Sequence, residues 1–390
     1  MKKILFAVTA FLSVFCNSQT FVQAYQNRAN LVTQANINTN LTEFASYGVK
    51  RTGTVANTNA MNWLKTKYLS YGYTDTQIVE DPFTAGSTSS KNLVVTKTGT
   101  LYPNTYVIIC GHYDTVSGPG VNDNGSGVSI ILEIARILKD VPTEYSIKFI
   151  NFSGEEQGLY GSQHYVDNVA NATNPKMDIK VVFNIDQVGG VAGEVNDTVR
   201  CDVDYYAPSF NNAASQQMAN QLAQCTTLYS PLQTSFYGAF SSDYEPFHKD
   251  GYTVTGFYEY NESNHPHTNS DTYANMDPVY VYNIAKAAVG AAQHFAGASQ
   301  ILLAVADCTP EKMIQSLKIS PNPTSDFINI EMLNTNLKDY TFTIRDLSGK
   351  LLIETENAKK IDISKLSPGI YLGTMVVEDQ KITKKIVISK

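Results

Sequence analysis

Hydrophobic residues recur at two spacings along this chain, and each spacing predicts a different kind of element. Apolar positions three or four residues apart predict helices over residues 55–71, 125–139, 161–169, 209–225 and 278–295. Short apolar or β-branched runs predict strands at residues 92–96, 105–110, 146–152 and 179–185. These runs alternate little with polar residues, as expected for strands covered on both faces. The order of elements therefore predicts an α/β fold with a mainly parallel central sheet flanked by helices.

The pattern changes near residue 318 to short strands separated by turn residues. The predicted strands lie at residues 327–332, 340–345, 350–354, 370–377 and 381–388. They predict a small all-β, sandwich-like C-terminal domain. We therefore expect a main domain over residues 20–298, a linker over 299–317 and a C-terminal domain over 318–390.

The first residues are typical of a secretory signal peptide, which we place at residues 1–19. Lys2 and Lys3 precede an apolar stretch over residues 4–16, which is too short to span a bilayer. No later apolar stretch is long enough to do so. We therefore expect an exported protein with no membrane span.

Composition and charge indicate how many domains the chain can form and which partners it excludes. The 390 residues are 43% hydrophobic, enough to bury the cores of two or three domains. Residues 18–317 hold 16 Lys and Arg against 27 Asp and Glu, a balance of −11, whereas residues 318–390 have a balance of +2. A net charge of −7 argues against a nucleic-acid partner. We expect a monomer.

Four cysteines remain after removal of the predicted signal: Cys110, Cys201, Cys225 and Cys308. An exported protein can form disulfides, and we expect one between Cys201 and Cys225. Cys110 lies in an apolar run and is expected to be a buried thiol. The chain has no CxxC motif, which argues against a zinc site made of cysteines.

Five polar clusters lie at or just after predicted strand ends, where open α/β sheets place their sites. They are GHYD at residues 111–114, NDNGSG at 122–127, SGEEQG at 153–158, NID at 184–186 and HTNSDT at 267–272. Each cluster alone is more typical of a turn or a solvated surface. Five of them in order favour a common site.

The residue types in these clusters suit a pair of metal ions. His112 supplies an imidazole and Asp114 a carboxylate two residues later, while Asp123 has an oxygen for each of two metals. Two divalent cations would be neutralised by Asp123, Glu156 and Asp186 together with one hydroxide. Nitrogen and carboxylate ligands without thiolate fit zinc best, with cobalt or manganese as alternatives.

The motifs GHYDT, VNDNGSG, FSGEEQGLYGS, NIDQVG and HTNSDT resemble those of the secreted zinc aminopeptidases of the bacterial leucyl aminopeptidase type, metallopeptidase family twenty-eight. The resemblance covers roughly residues 45–297. It implies a zinc exopeptidase-like fold and two zinc ions per chain. It also implies hydrolysis of the N-terminal peptide bond of peptides and proteins that have a free N-terminus.

The same resemblance implies a role for each site residue. His112, Asp123 and Asp186 would hold one zinc, and Asp123, Glu156 and His267 the other, so that Asp123 bridges them. Asp114 would orient His112, Glu155 would be the general base, and Tyr237 would bind substrate by steadying the oxyanion.

The C-terminal region has a resemblance of its own. Its segments at residues 320–323, 366–371 and 383–388 resemble a type IX secretion C-terminal sorting domain. This implies the type IX secretion machinery as a partner and, by way of the periplasm, an extracellular or cell-surface location. The alternative is a sandwich that binds carbohydrate or mediates adhesion.

Other functions remain as alternatives for the main domain. A single-zinc glutaminyl cyclase shares the fold but uses fewer ligands. Co-catalytic carboxypeptidases and dipeptidases have a similar ligand order, but the 81 residues between Asp186 and His267 leave no room for their lid domain. A non-catalytic binding protein would have lost ligands, and a serine hydrolase would need a GxSxG motif, which is absent.

Overall fold

The computed structural model describes residues 19–300, 317–332, 340–346, 349–377 and 380–389. The chain divides into two compact units, Met1–Leu303 and Ala304–Lys390. The predicted signal peptide, apart from Gln19, lies outside the described residues, as do Cys308 and most of the predicted linker.

Eight α-helices are found among the described residues, all of them in the first unit. They are α1 Gln23–Ala29, α2 Gln34–Ser46, α3 Val55–Ser70, α4 Gly125–Leu138, α5 Tyr160–Tyr165, α6 Asn212–Tyr229, α7 Glu245–Lys249 and α8 Pro278–Ala296. A π-helical turn, Val166–Ala170, continues α5. Short 3-10 turns occur at Asp75–Gln77, Ser209–Asn211 and Tyr273–Asn275.

The first unit is built on one mixed sheet of eight strands. They are β1 Ile78–Ala85, β2 Thr88–Lys97, β3 Tyr102–His112, β4 Tyr145–Phe152, β5 Asp178–Ile185, β6 Thr198–Val203, β7 Gln233–Gly238 and β8 Val254–Glu259. The strand order is β1-β2-β4-β3-β5-β8-β6-β7. The four central strands β4, β3, β5 and β8 are parallel to their neighbours within this group, and β6 and β7 are also parallel to each other. The remaining pairs, β1–β2, β2–β4 and β8–β6, are antiparallel.

Strand β3 shows why its sequence has no polar alternation. Ile109 faces a large core shared with α2, α3, α4 and α8, whereas Ile108 and Cys110 face a second core shared with α5 and α7. Successive side chains of a strand point to opposite faces, so both faces of β3 require apolar residues. The predicted α/β sheet flanked by helices is confirmed, and its carboxyl edge carries the polar clusters.

Several elements were not predicted because contacts from distant parts of the chain stabilise them. Helix α1 is largely polar, but the hydroxyl of Tyr25 donates to the carbonyl of Ala298 at 2.5 Å. Arg28 donates to the side chain of Gln293 at 3.1 Å in α8. Strand β1 contains Pro82, which weakens a strand signal and is tolerated here because β1 lies at the sheet edge.

The second unit contains only strands among its described residues. They are β9 Leu317–Ser320, β10 Phe327–Met332, β11 Thr341–Arg345, β12 Leu351–Glu356, β13 Lys360–Asp362, β14 Gly369–Val377 and β15 Gln380–Ile388. They form a three-stranded sheet, β13-β10-β9, and a four-stranded sheet, β12-β11-β14-β15. Residues such as Ile328, Phe342 and Ile386 form its own core. The predicted small all-β domain is confirmed.

The predicted disulfide between Cys201 and Cys225 is wrong, because both residues are free thiols. Cys201 lies on β6 and Cys225 on α6, and both side chains are fully buried in the large core. They contribute apolar volume there as thiols. Cys110 is buried and free, as predicted.

No helix among the described residues combines the length and the apolar composition needed to cross a bilayer.

Gly290 in α8 generates a prediction about packing. A Cβ at this position would lie 2.3 Å from the ring of Tyr229 in α6. In an unobstructed helix, alanine in place of glycine stabilises by about 1 kcal/mol, but here the overlap forces the helices apart. We expect Gly290→Ala to lower the free energy of unfolding by about 1–3 kcal/mol, measured by denaturant titration.

A second variant isolates the cause. In a Tyr229→Ala background the ring is gone, and Gly290→Ala should then cost little or be stabilising. An equal cost in both backgrounds would contradict the packing argument.

Candidate metal centre

His112 is the last residue of β3, and its ring is buried at the carboxyl edge of the sheet. Its Nε2 atom lies 3.2 Å from Oδ1 of Asp123 and 3.2 Å from Oδ1 of Asp186. Asp186 directly follows β5, the neighbour of β3 in the sheet. Adjacent parallel strands therefore bring this histidine and this carboxylate together.

His267 forms a matching group on the other side of Asp123. Its Nε2 atom lies 3.1 Å from Oδ2 of Asp123 and 2.9 Å from Oε2 of Glu156. The His267 side chain is 61% exposed, while Glu156 and Asp123 are almost fully covered. The site is therefore most open to solvent at His267.

Asp123 is shared by the two groups, with one carboxylate oxygen directed to each histidine. It lies in the segment between β3 and α4, immediately before Asn124 caps α4 by accepting a hydrogen bond from the amide of Gly127 at 3.0 Å. A Cβ at Gly127 would lie 2.2 Å from the carbonyl oxygen of Ile185. Glycine is therefore required for α4 to begin so close to the end of β5.

Asp114 has a contact different from the one the sequence resemblance implied. Its main-chain carbonyl lies 3.1 Å from Nδ1 of His112, and the nearest carboxylate oxygen lies 3.8 Å away. The carboxylate instead accepts hydrogen bonds from the main-chain amides of Glu155 at 3.2 Å and Glu156 at 3.3 Å. Asp114 thus fixes the turn that carries both glutamates, and burial raises the pKa of its carboxyl.

Asp271 fixes the turn that carries Asp123, just as Asp114 fixes the turn that carries the two glutamates. The sequence alone assigned Asp271 no role. Its two oxygens accept from the main-chain amides of Asn122 at 2.8 Å and Asp123 at 2.9 Å. Asp271 lies four residues after His267 in HTNSDT, where the sequence suggests only a polar loop residue. Its side chain is buried because it binds the amide of Asp123, which lies 148 residues earlier in the chain. Burial raises the pKa of Asp271 to about 6.

Ser242 is another positioning residue, and the sequence alone assigned it no role. Its hydroxyl donates to Oδ2 of Asp186 at 2.6 Å and accepts from the side-chain amide of Asn184 at 2.9 Å. The remaining oxygen of Asp186 is thereby left facing His112. The next residue, Asp243, is fully buried, and burial raises the pKa of its carboxyl to about 8.

The cluster crowds buried carboxyl groups together, and this crowding disfavours their ionised forms. Burial and the neighbouring Asp123 raise the pKa of Glu156 to about 8, and burial also raises the pKa of Glu155 well above its usual value. Burial opposes a charge on His112, but Asp186 and the other carboxylates raise the pKa of this histidine well above its usual value. A group of carboxylates with these properties is stabilised by bound cations.

The donor atoms fit zinc in type and spacing. His112, Asp123 and Glu156 each offer an atom within 4.8 Å of the others. Donors around one tetrahedral zinc lie about 3.3 Å apart, because zinc–ligand distances are about 2.0–2.1 Å. The separations of 2.9–3.2 Å around each histidine nitrogen are close to that value.

Tyr237 is the one predicted site residue that the structure does not bring to the cluster. It lies on the edge strand β7 with 60% of its surface exposed, and its ring stacks on Arg200, whose guanidinium carbon is 4.9 Å from the ring centre. Among the described residues, no hydrogen bond joins it to His112, His267 or the carboxylates of the cluster. Its role in substrate binding stays a prediction.

Comparison with known protein families shows the family to which the first unit is related. Residues 92–292, more than half of the chain, match the model of peptidase family M28. The chain belongs to peptidase family M28. Residues 318–389 match the secretion system C-terminal sorting domain, which confirms the resemblance stated for the tail and points to secretion.

Curated relatives of this M28 member match over shorter segments. Aminopeptidase YwaD of Bacillus subtilis is 49% identical over 84 residues, which are 21% of this chain and 18% of that protein. An aminopeptidase of Pseudomonas aeruginosa is 41% identical over 97 residues, 25% of this chain and 18% of that protein. The chain thus spans about a fifth of the length of these relatives.

Solved structures show the fold of the M28 unit. The LapA aminopeptidase of Legionella pneumophila superposes with a TM-score of 0.62 at 23% identity, covering 76% of this chain and 80% of that chain. A glutaminyl cyclase of Macrostomum lignano gives the same TM-score at 15% identity, covering 77% and 98%. The fold is therefore common to both activities, and the site residues must distinguish them.

The paired hydrogen bonds of Asp271 give a prediction. Asparagine is uncharged and has only one acceptor oxygen, so Asp271→Asn leaves one of the two amides, of Asn122 or Asp123, without its partner. We expect the free energy of unfolding of metal-free protein to fall by about 1–3 kcal/mol in denaturant titration.

Asp140→Asn is the matched control, because the Asp140 side chain is 91% exposed. It should leave stability unchanged. If both variants unfold at the same denaturant concentration, Asp271 is not the anchor of the Asp123 turn.

Proposed function

We propose that this chain is a secreted aminopeptidase that uses two zinc ions to hydrolyse the N-terminal peptide bond of peptides and proteins. The observation that carries the proposal is the division of Asp123 between two histidine–carboxylate groups. Membership of peptidase family M28 and relatives named aminopeptidase support the same activity.

The two groups define the proposed ligand sets. His112, Asp123 and Asp186 would hold one zinc ion, and Asp123, Glu156 and His267 would hold the other. Bound zinc ions supply a Lewis acid for the peptide carbonyl and a water of lowered pKa. With both ions present, the three carboxylates of these sets are balanced by cations in a buried setting.

Glu155 is the proposed general base. Its Oε2 atom is 4.0 Å from Nε2 of His112, and only 14% of its side chain is exposed. Burial raises the pKa of Glu155 well above its usual value, which strengthens this carboxylate as a proton acceptor. In the proposed reaction, Oε2 takes the proton of the attacking water and then gives it to the nitrogen of the departing amine.

The geometry of the turn explains how the adjacent residues Glu155 and Glu156 can have different proposed roles. Asp114 accepts from both main-chain amides, so the turn is rigid while the two side chains are directed differently. Glu156 reaches His267, and Glu155 reaches the space next to His112. Adjacent carboxylates can therefore serve as a ligand and a base.

The complete set of ligands favours peptide hydrolysis over glutaminyl cyclisation. A single-zinc cyclase needs fewer ligands, whereas both groups around Asp123 are complete here. The fold does not separate the two activities, so the argument depends on these ligands and on the relatives.

The sorting domain carries the second part of the proposal. We infer that residues 318–390 direct the protein through the type IX secretion machinery to the cell surface or the medium. The matched sorting-domain model over residues 318–389 supports this inference.

Metal removal and substrate blocking test the activity together. We expect purified protein to cleave leucine p-nitroanilide, to lose cleavage after chelation, and to regain it when zinc is returned. The N-acetylated substrate should not be cleaved, because an aminopeptidase requires a free amine. Cleavage that survives complete zinc removal, or equal cleavage of the blocked substrate, would end the proposal.

Glu155→Gln tests the proposed base separately from the metal. Glutamine keeps the shape but cannot accept the proton, so kcat should fall by about 10²–10⁴-fold while the zinc content, measured by atomic absorption, is retained. Glu194→Gln, at an exposed position, is the control and should have normal kcat. Near-normal turnover by Glu155→Gln would refute the assignment.

A further inference from the structure

One cavity of the first unit has a lining that includes none of the residues of the His112–His267 cluster. Its volume is about 760 Å³, within the range of small-molecule sites. It is enclosed by α3, by the β1–β2 hairpin and by α5 with the turn that follows it. Neither the proposed ligand sets nor the proposed base uses it.

The floor and the rim of this cavity differ in polarity. Met61, Phe83 and Tyr113 are buried and form apolar parts of the wall. Asn62 and Ser89 are exposed and stand on opposite sides, on α3 and β2. A ligand with an apolar side chain and neighbouring hydrogen-bonding groups matches this division.

The charged residues around the cavity are already paired. Glu80 accepts from Lys65 and Lys91, each at 2.8 Å. His164 lies 3.3 Å from Asp81. With His164 neutral, the two lysines and the two carboxylates of these groups have no net charge, and the ligand is expected to be uncharged.

A chain of side-chain hydrogen bonds joins the cavity wall to Asp114. Ser90 donates to Asn57 at 2.7 Å, and both lie within hydrogen-bond distance of the buried hydroxyl of Ser153, at 3.0 and 3.1 Å. Ser153 is 3.3 Å from the hydroxyl of Thr52. Thr52 in turn donates to the carboxylate of Asp114 at 3.2 Å.

A second, steric connection reaches the same turn. The ring of Phe83 is a neighbour of Gly154, since a Cβ at this glycine would lie at the van der Waals distance of 3.4 Å from Cζ of Phe83. Gly154 has a φ of +82° and immediately precedes Glu155. Phe83 thus stands between the cavity and the residue that precedes the proposed base.

We propose that this cavity is a second binding site for an uncharged peptide segment, and that its occupancy alters catalysis through the Glu155 turn. An apolar side chain of the segment occupies the floor beside Met61 and Phe83. The main-chain amides of the segment form hydrogen bonds with polar residues at the rim. The apolar floor formed by Met61, Phe83 and Tyr113 suits an apolar side chain, which a carbohydrate lacks. The effect on catalysis rests on the proposed aminopeptidase function, whereas the binding does not.

The first test is a calorimetric titration of the full chain with N-acetyl-leucyl-leucine amide. This probe is uncharged and lacks the free amine of a substrate. We expect saturable binding to the wild type. Asn62→Trp and Ser89→Trp fill the cavity mouth from opposite walls, and each should weaken binding at least tenfold.

Asn59→Trp is the matched control, since Asn59 is also exposed on α3 but does not line the cavity. It should bind the probe as the wild type does. Circular dichroism verifies the fold of each variant. If either Asn62→Trp or Ser89→Trp does not fold, the other still tests the site. Absence of binding to the wild type, or equal binding by all folded variants, overturns the site, and binding of N-acetylglucosamine alone overturns the peptide assignment.

The second test measures kcat and KM for leucine p-nitroanilide at saturating probe. We expect kcat to change at least twofold in the wild type and in Asn59→Trp, with no such change in Asn62→Trp. An increase in KM alone would mean that the probe competes at the zinc site, and an unchanged kcat would refute the coupling. If the wild type has no aminopeptidase activity, the proposed function fails while the calorimetric result still decides the site.

Discussion

The crowding of carboxylates at one edge of the sheet is the constraint on which the surrounding structure depends. Asp123, Glu155, Glu156 and Asp186 lie around two histidines in a setting from which most water is excluded. Ionised groups in such a setting repel one another unless donors or cations compensate them. The turns must therefore be held in place by something other than the charges they carry. That support comes from Asp114 and Asp271, each of which binds two consecutive main-chain amides.

The sheet supplies the other half of the arrangement. The parallel neighbours β4, β3 and β5 end at the same edge, so residues that follow each of them converge. Close approach is required as well, and Gly127 permits it by allowing α4 to start against the end of β5. The paired positions of His112 and Asp186 thus follow from strand order, whereas those of Glu156 and His267 depend on turns. This difference agrees with burial, because His112 is covered and His267 is largely exposed.

The sequence allowed most of the central layers to be predicted, since apolar runs such as that of β3 can be satisfied only between two cores. The strand ends then indicated His112 and Asp186, and the motifs indicated the remaining residues of the candidate metal centre. Asp271 and Ser242 were assigned no role because their roles are hydrogen bonds to residues far away along the chain. Helix α1 was missed for the same reason. The disulfide prediction failed because it rested on the positions of the cysteines in the sequence and on the expected export of the protein. Neither shows that two buried thiols pack in the core as apolar groups.

The long-range hydrogen bonds of Asp271 also set the order in which the site can be completed. Asn122 and Asp123 are synthesised some 150 residues before the carboxylate that holds their amides, and His267 is made only just before it. A nascent chain that ends before these residues has β3 and α4 but lacks both an anchored Asp123 and the second histidine. The proposed ligand set of Asp123, Glu156 and His267 therefore becomes complete only after β8, the last of the eight strands of the main sheet, has been synthesised.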